Sequence, residues 1–150
     1  MKSKLSAVLV GGSIGGAIDI AYAIIFSKLR SGVPPTRLLQ SVASGLLGAS
    51  AFEGGSATAI LGLALHFAMA LLIATIYVFA VRPILVSERR PILHGALYGL
   101  IVYAVMNAIV LPLSNVPPRA TAPALIVVLS GLLVHMFGVG VPIALAARSR

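Results

Sequence analysis

Four apolar stretches of the sequence are each long enough to cross a lipid bilayer as a helix. They cover residues 5–26, 58–81, 92–111 and 122–147. The hydrocarbon core of a bilayer is about 30 Å thick, which an α-helix crosses in about 20 residues. Pro112 is expected to end the third stretch, and Gly138, Gly140 and Pro142 predict a kink near the end of the fourth. The pattern therefore predicts one transmembrane domain over residues 1–150.

A shorter amphipathic segment, residues 37–52, lies between the first two stretches. Leu39, Val42 and Leu46 recur there at helical spacing, with Gln40 and Ser44 among the polar residues between them. Its apolar part of about 15 residues is too short to span, which indicates an interfacial or re-entrant helix. The predicted fold class is thus an all-α membrane protein with four transmembrane helices and this short helix between the first and second.

The first stretch also has features of a cleavable signal peptide. Lys2 and Lys4 precede the apolar run, and Ala21-Tyr22-Ala23 imitates a cleavage site. However, Asp19 lies just before that site and the apolar run continues through Phe26. A retained transmembrane helix is therefore favoured.

Composition supports a lipid environment for the chain. It is 59% hydrophobic and 9% charged, whereas soluble domains are about 25% charged. The net charge of +8 does not indicate nucleic-acid binding, because the Lys and Arg residues lie at the chain ends and between apolar runs instead of on one face. The absence of cysteine excludes disulfides, thiolate metal sites and a cysteine nucleophile.

The distribution of Lys and Arg predicts the orientation in the membrane. Seven of them fall on the side of the two termini and the middle loop, and four fall on the other side. Positive residues favour the cytoplasmic side, so both termini are predicted to be cytoplasmic.

Small residues at spacings of three or four mark candidate helix-packing positions. Small side chains let helix backbones approach closely in lipid, where this packing replaces the missing hydrophobic drive between helices. A phosphate-binding loop at residues 11–16 is disfavoured, because it lacks the lysine that such loops need. The predicted packing residues are Gly12, Gly16, Gly62, Gly95, Gly99, Gly131 and Gly138.

A few polar residues interrupt the apolar stretches and form the candidate ligand or proton site. An ionised carboxylate in hydrocarbon costs at least about 2.5–3.5 kcal/mol, so Asp19 should face the bundle interior. Asp19, His66 and Asn107 are expected in one layer, which His135 approaches from below. Tyr103 lies on the same face of the third helix as Gly95 and Gly99, because the three residues are spaced four apart. This layer could bind a proton or a small ligand, or could act only as a structural clasp between helices.

Motifs of enzymes and metal sites are missing from the sequence. It contains no G-x-S-x-G elbow, no H-E-x-x-H and no acidic pair at metal-ligand spacing. The three histidines fall on three helices, so a zinc site has no support from spacing. We therefore expect no catalytic residues, no resident metal and no cofactor.

Several short motifs are spread over most of the chain. They are Leu38-Leu39-Gln40-Ser41-Val42-Ala43-Ser44-Gly45-Leu46-Leu47-Gly48, Leu63-Ala64-Leu65-His66-Phe67, Leu97-Tyr98-Gly99, Met106-Asn107 with Leu111-Pro112-Leu113, and His135-Met136 with Pro142. These motifs resemble those of a family of small, mostly uncharacterised bacterial inner-membrane proteins. The stretch from Gly95 to Pro118 also resembles, more loosely, the YagU-type inner-membrane proteins. The resemblance implies a bacterial cytoplasmic-membrane location and brings no catalytic residues with it.

Three functional interpretations follow from these patterns. The first is a multi-pass membrane protein whose polar layer is structural or binds a proton or small ligand. The second is a small proton-coupled transporter that acts as a dimer, since the chain is short for a self-contained transporter. The third is a non-catalytic accessory subunit that docks a larger membrane partner through exposed GxxxG faces. The expected partners are the lipid bilayer and either a second copy or another membrane protein, and not nucleic acid.

Overall fold

The described part of the chain folds into five helices, four of which are long and apolar enough to cross a membrane. The computed structural model describes residues 3–84, 90–118 and 122–148, and no strand occurs among them. The prediction of an all-α chain with four long apolar helices is confirmed. Four of the Lys and Arg residues that predict the orientation lie outside the described residues, namely Lys2, Arg89, Arg119 and Arg150. The helices are α1 (Lys4–Ser31), α2 (Pro35–Leu47), α3 (Gly55–Ile84), α4 (Pro91–Leu113) and α5 (Leu125–Ala147).

The first helix extends five residues beyond its predicted end at residue 26. Lys28 and Arg30 lie in its last turn, where positive charge interacts favourably with the helix dipole. Gly32 adopts the left-handed conformation with φ of 66°, and its N–H donates to the Lys28 carbonyl at 3.0 Å. This glycine cap ends the helix because the left-handed conformation carries no steric penalty for a residue without Cβ.

Each of the last three long helices contains a π-helical turn just before a proline. The turns are Tyr77–Val81 in α3, Met106–Val110 in α4 and Val134–Gly140 in α5. Pro83, Pro112 and Pro142 each follow two residues beyond a turn. A proline ring clashes with the carbonyl four residues earlier and lacks an N–H, so the preceding turn widens. The predicted end of α4 at Pro112 is therefore wrong, because the helix accommodates this proline and continues to Leu113.

Glycines on two faces of α1 hold it between α3 and α5. A Cβ at Gly12 would lie 3.2 Å from the Ala70 carbonyl oxygen of α3, and Gly16 faces the same helix. On the other face, a Cβ at Gly11 would lie 2.9 Å from the Ile143 Cα of α5, and Gly15 follows it along that helix. These backbones are so close that only glycine fits without a shift.

The contact between α4 and α5 is closer still. A Cβ at Gly95 would lie 2.7 Å from the Gly140 carbonyl oxygen, and one at Gly99 would overlap the His135 carbonyl. Gly131 faces the ring of Tyr103. On its other side, α5 meets α1, where Gly138 faces Ile18. The bundle is therefore packed backbone to backbone on both sides of α5.

The short helix α2 packs on the beginning of α3. The Gln40 amide donates to the Gly55 carbonyl at 3.0 Å, and Gly62 lies directly beneath the Leu39 carbonyl. Beyond the end of α4, Asn115 donates from its backbone N–H to Gly45 at 3.0 Å. The predicted segment 37–52 thus comprises most of this α-helix and a 3₁₀ segment, Gly48–Phe52. Its interfacial or re-entrant position relative to lipid stays a prediction.

Large apolar side chains cover the outer surface of the helices. Ile60, Ile101 and Phe137 are 68%, 58% and 53% exposed, and they belong to three different helices. Such extensive apolar exposure is unfavourable in water and favourable in hydrocarbon. The four apolar helices are therefore compatible with a multi-pass membrane protein.

We expect Gly62→Ala to destabilise the protein and Gly45→Ala to leave it intact. The added Cβ at position 62 would overlap the Leu39 carbonyl and force α2 away from α3; overpacking of this kind costs about 1–3 kcal/mol. At position 45 the nearest atoms to an added Cβ are 3.9 Å away, so alanine should be neutral or stabilise α2 by up to about 1 kcal/mol.

The free energy of unfolding in mixed detergent micelles measures both effects. Equal stabilities for the two variants would contradict the described packing of α2 on α3.

Candidate functional site

A small, partly open cavity lies between α1, α3, α4 and α5, and three ionisable side chains interrupt its mostly apolar wall. Its volume is about 60 Å³, enough for roughly four water molecules, since each needs about 10–15 Å³ by this measure. Two of the three π turns contribute to its wall, and such turns are frequent at functional sites. The lining residues are Gly16, Asp19, His66, Met69, Ala70, Ile73, Met106, His135 and Val139.

Asp19 is placed in the cavity by the glycines that precede it on α1. It follows Gly16 by three residues and Gly15 by four, so it lies on the seam between the α3-facing and α5-facing sides. Its side chain is 22% exposed, and its Oδ1 lies 3.7 Å from the Nδ1 of His135. This separation is too long for a hydrogen bond. The described residues supply this carboxylate with an imidazole neighbour but with no direct hydrogen bond.

His135 is oriented by its own helix and by a tyrosine of α4. Its Nδ1 lies 3.0 Å from the Gly131 carbonyl oxygen, and because a carbonyl can only accept, this nitrogen carries a proton. The Tyr103 ring contacts the imidazole edge to face at a centroid distance of 5.2 Å. In the neutral ring, the remaining lone pair is therefore on Nε2.

His66 connects α3 to α1 through a backbone carbonyl. Its Nε2 lies 2.9 Å from the Gly16 carbonyl oxygen, so this nitrogen is the donor. The absence of a side chain at Gly16 permits the approach, since a Cβ there would lie 2.9 Å from Ala70. In the neutral ring, the lone pair is on Nδ1.

The structure brings together three of the five candidate residues predicted from sequence. Asp19, His66 and His135 line the cavity, and Tyr103 contacts His135 from outside it. The expectation that Asn107 belongs to a buried layer with them is wrong. Its side chain is exposed on α4 and donates to the Tyr103 carbonyl one turn earlier, at 2.9 Å.

Two methionines in the cavity were not predicted as site residues. Met69 follows His66 by three residues on α3, and Met106 follows Tyr103 by three residues on α4. Positions three apart share a helix face, so this spacing could have identified them. Sequence reasoning also missed the hydrogen bond from the Tyr22 hydroxyl of α1 to Ser130 of α5.

A second, smaller cavity lies near the start of α4 and is less suited to ligand binding. Its volume of about 10 Å³ holds no more than roughly one water molecule. His94 lines it together with Arg82 and Arg148. Basic residues at helix ends are expected at a headgroup region and need no further ligand to explain them.

The chemistry available in the larger cavity is proton exchange and cation binding. It combines one carboxylate with two imidazoles, which are the side chains that titrate or coordinate most readily. Among the described residues, no group of three His, Cys, Asp or Glu side chains could hold a metal ion.

Comparison with protein-family models, with curated proteins and with solved structures finds no match to this chain. The resemblance to small bacterial inner-membrane proteins and to the YagU type therefore stays a prediction.

Proposed function

We propose that this chain is a small multi-pass membrane protein that binds a proton or a small cation in the cavity around Asp19. The observation that carries the proposal is the state of that carboxylate. It faces the cavity 3.7 Å from His135 and accepts no hydrogen bond from the described residues. We infer that an exchangeable proton or small cation supplies the partner that this carboxylate lacks among the described residues.

A purely structural clasp fits this geometry less well. A buried ionic pair stabilises a fold only when its contacts are direct and its remaining lone pairs are satisfied. The helices around Asp19 are already joined by glycine contacts and by the bond from His66 to Gly16. Asp19 adds little to that connection, whereas its charge costs energy in lipid unless a proton or cation neutralises it.

The titratable and charged groups around Asp19 come from two neighbouring helices. His135 faces it from α5, and His66 lines the same cavity from α3. From α4, Tyr103 contacts His135. No catalytic motif accompanies them in the sequence, so the proposal assigns no reaction and no cofactor.

The proposal places the protein in the bacterial cytoplasmic membrane with both termini in the cytoplasm. The resemblance to bacterial inner-membrane proteins and the distribution of seven Lys and Arg residues against four support this location.

Self-association through α4 is the second part of the proposal. Asn107 presents a polar amide on the outer face of an apolar helix, where its described hydrogen bond uses one of its N–H groups. A side-chain amide has two N–H donors and a carbonyl acceptor, and such groups hydrogen-bond across helices in lipid. In a symmetric dimer, the second copy would supply hydrogen-bond partners for the other N–H and the carbonyl oxygen of this amide. By contrast, Gly12 and Gly16 are buried against α3, so they are not free to dock a larger partner.

Asp19→Asn is expected to abolish proton binding while it preserves the fold. In lipid vesicles, the pH-difference infrared spectrum of the wild type should contain the C=O band of a carboxyl that titrates in the cavity, and this band should be absent from the variant. Glu53→Gln is the matched control, because it removes an exposed carboxylate outside the cavity. The melting temperature in detergent should change little, because the isosteric amide removes a charge without leaving space.

If Asp19 were only a structural clasp between helices, Asp19→Asn would instead lower the melting temperature and the wild type would show no titrating carboxyl band. Breaking a buried ion pair costs about 3–5 kcal/mol, so a large loss of melting temperature with no titrating band would contradict the proposal.

Asn107→Leu is expected to weaken dimerisation about three- to eighteenfold, because hydrogen bonds between helices in lipid contribute roughly 0.6–1.7 kcal/mol. Sedimentation equilibrium in detergent measures the dissociation constant. Ile109→Leu, at an exposed apolar position of the same helix, is the control and should have no effect. A wild-type chain that is monomeric in both detergent and vesicles would refute this part of the proposal.

The predicted orientation can be tested by cysteine labelling, since the chain has no cysteine of its own. Ser3→Cys and Ser31→Cys are nearly isosteric changes at exposed positions near opposite ends of α1. In spheroplasts, a membrane-impermeant maleimide should label position 31 at once and position 3 only after permeabilisation. The reverse pattern would show that the termini face outward.

A further inference from the structure

We infer that the cavity around Asp19 binds a soft monovalent metal cation of the Cu(I) or Ag(I) class, with Met69 and Met106 as thioether ligands. The inference rests on the proposed function and names the chemical class of its ligand. It departs from the expectation of no metal site, because the sequence alone did not bring the methionines and histidines together.

The two thioethers are the first observation. The chain contains four methionines, and two of them, on different helices, line one cavity of about 60 Å³. Methionine often fills gaps in apolar cores. Here, however, Met69 and Met106 share the cavity wall with a carboxylate and two imidazoles. Thioether sulfur is a weak hydrogen-bond acceptor and a good ligand for soft metals, above all Cu(I).

The state of the two imidazoles is the second observation. In His66 the Nε2–H is held by the Gly16 carbonyl, and in His135 the Nδ1–H is held by the Gly131 carbonyl. Histidines that bind metals almost always donate the other ring N–H to a carbonyl, carboxylate or water, which fixes the tautomer. Both rings therefore have the second-shell partner that a ligand requires, with a lone pair on the opposite nitrogen.

Charge selects a monovalent ion over a divalent one. Asp19 is the only acidic residue in the four apolar stretches, so the cavity offers one negative charge. One monovalent cation would make the site neutral, whereas a divalent ion would leave a net positive charge in lipid. The cost of dehydrating an ion also rises with the square of its charge.

The ligand types select a soft ion over zinc. Structural and catalytic zinc sites use three or four Cys, His, Asp or Glu ligands. Among the residues that the structure describes, no such group of three is close enough to hold a metal. Two thioethers with an imidazole nitrogen form a set that suits Cu(I) and Ag(I) instead.

The test uses Ag(I), which needs no reductant, with the full-length protein in vesicles and chloride-free buffer. We expect one ion per chain by calorimetric titration, with sulfur and nitrogen neighbours in the X-ray absorption spectrum. Met69→Leu and Met106→Leu should each weaken binding about ten- to hundredfold, the size seen even for supporting partners at metal sites. Leucine conserves volume, so the fold should survive both changes.

Met136→Leu is the matched control, since this methionine adjoins His135 in sequence but does not line the cavity. The inference is overturned by a wild type that binds no Ag(I), by an equal loss of affinity in Met136→Leu, or by tighter binding of Zn(II) than of Ag(I). The titrating carboxyl band of Asp19 separates the two proposals. If the band persists in Met69→Leu and Met106→Leu but the wild type binds no Ag(I), proton binding stands and the metal inference fails.

Discussion

Close approach of helix backbones at glycine is the constraint on which this structure depends. Apolar side chains gain little from one another in lipid, so helices associate where small residues allow extensive van der Waals contact. The first helix satisfies this condition on two faces, with Gly11 and Gly15 against α5 and Gly12 and Gly16 against α3. These two independent contacts fix its azimuth, that is, the rotation of the helix about its own axis.

That azimuth decides where the only charge in the apolar stretches points. Asp19 follows the last glycines by about one turn, so it must face the space between α3 and α5 and not the acyl chains. A bulkier residue at Gly16 would separate α1 from α3 and would also break the bond between the Gly16 carbonyl and His66. Packing and site are therefore coupled through the same few residues, and the position of Asp19 in the cavity depends on an apolar contact.

The prolines of α4 and α5 also shape the site, because π-helical turns precede them. The widened turns before Pro112 and Pro142 carry Met106 and His135, so the residues that line the cavity from α4 and α5 lie where the helices depart from regular geometry. The departure has a steric cause in the proline ring. It positions side chains that a regular helix would point elsewhere.

Sequence predicted the spans and most of the polar residues of the cavity, but not how the helices face one another. Hydropathy located the four long helices because lipid imposes a minimum apolar length. The cost of burying a charge in lipid predicted that Asp19 faces inward, and its side chain lines the cavity between the helices. The same reasoning failed for Asn107, because an uncharged amide can satisfy one donor on its own helix and remain outside. Depth along a helix can be counted from sequence, whereas azimuth depends on contacts between helices and on the π turns.

The combination of groups in the cavity also limits what it could bind. A volume of about 60 Å³ excludes an organic substrate of ordinary size, since ligand pockets for such molecules occupy roughly 300–1,000 Å³. A single carboxylate balances a single positive charge, and neutral imidazoles can share a proton or coordinate without adding charge. The occupant that we propose for the cavity, which would remove the cost of the Asp19 charge in lipid, is therefore small and monovalent. A proton and a soft metal ion both meet that condition, and they differ in whether the methionine sulfurs take part.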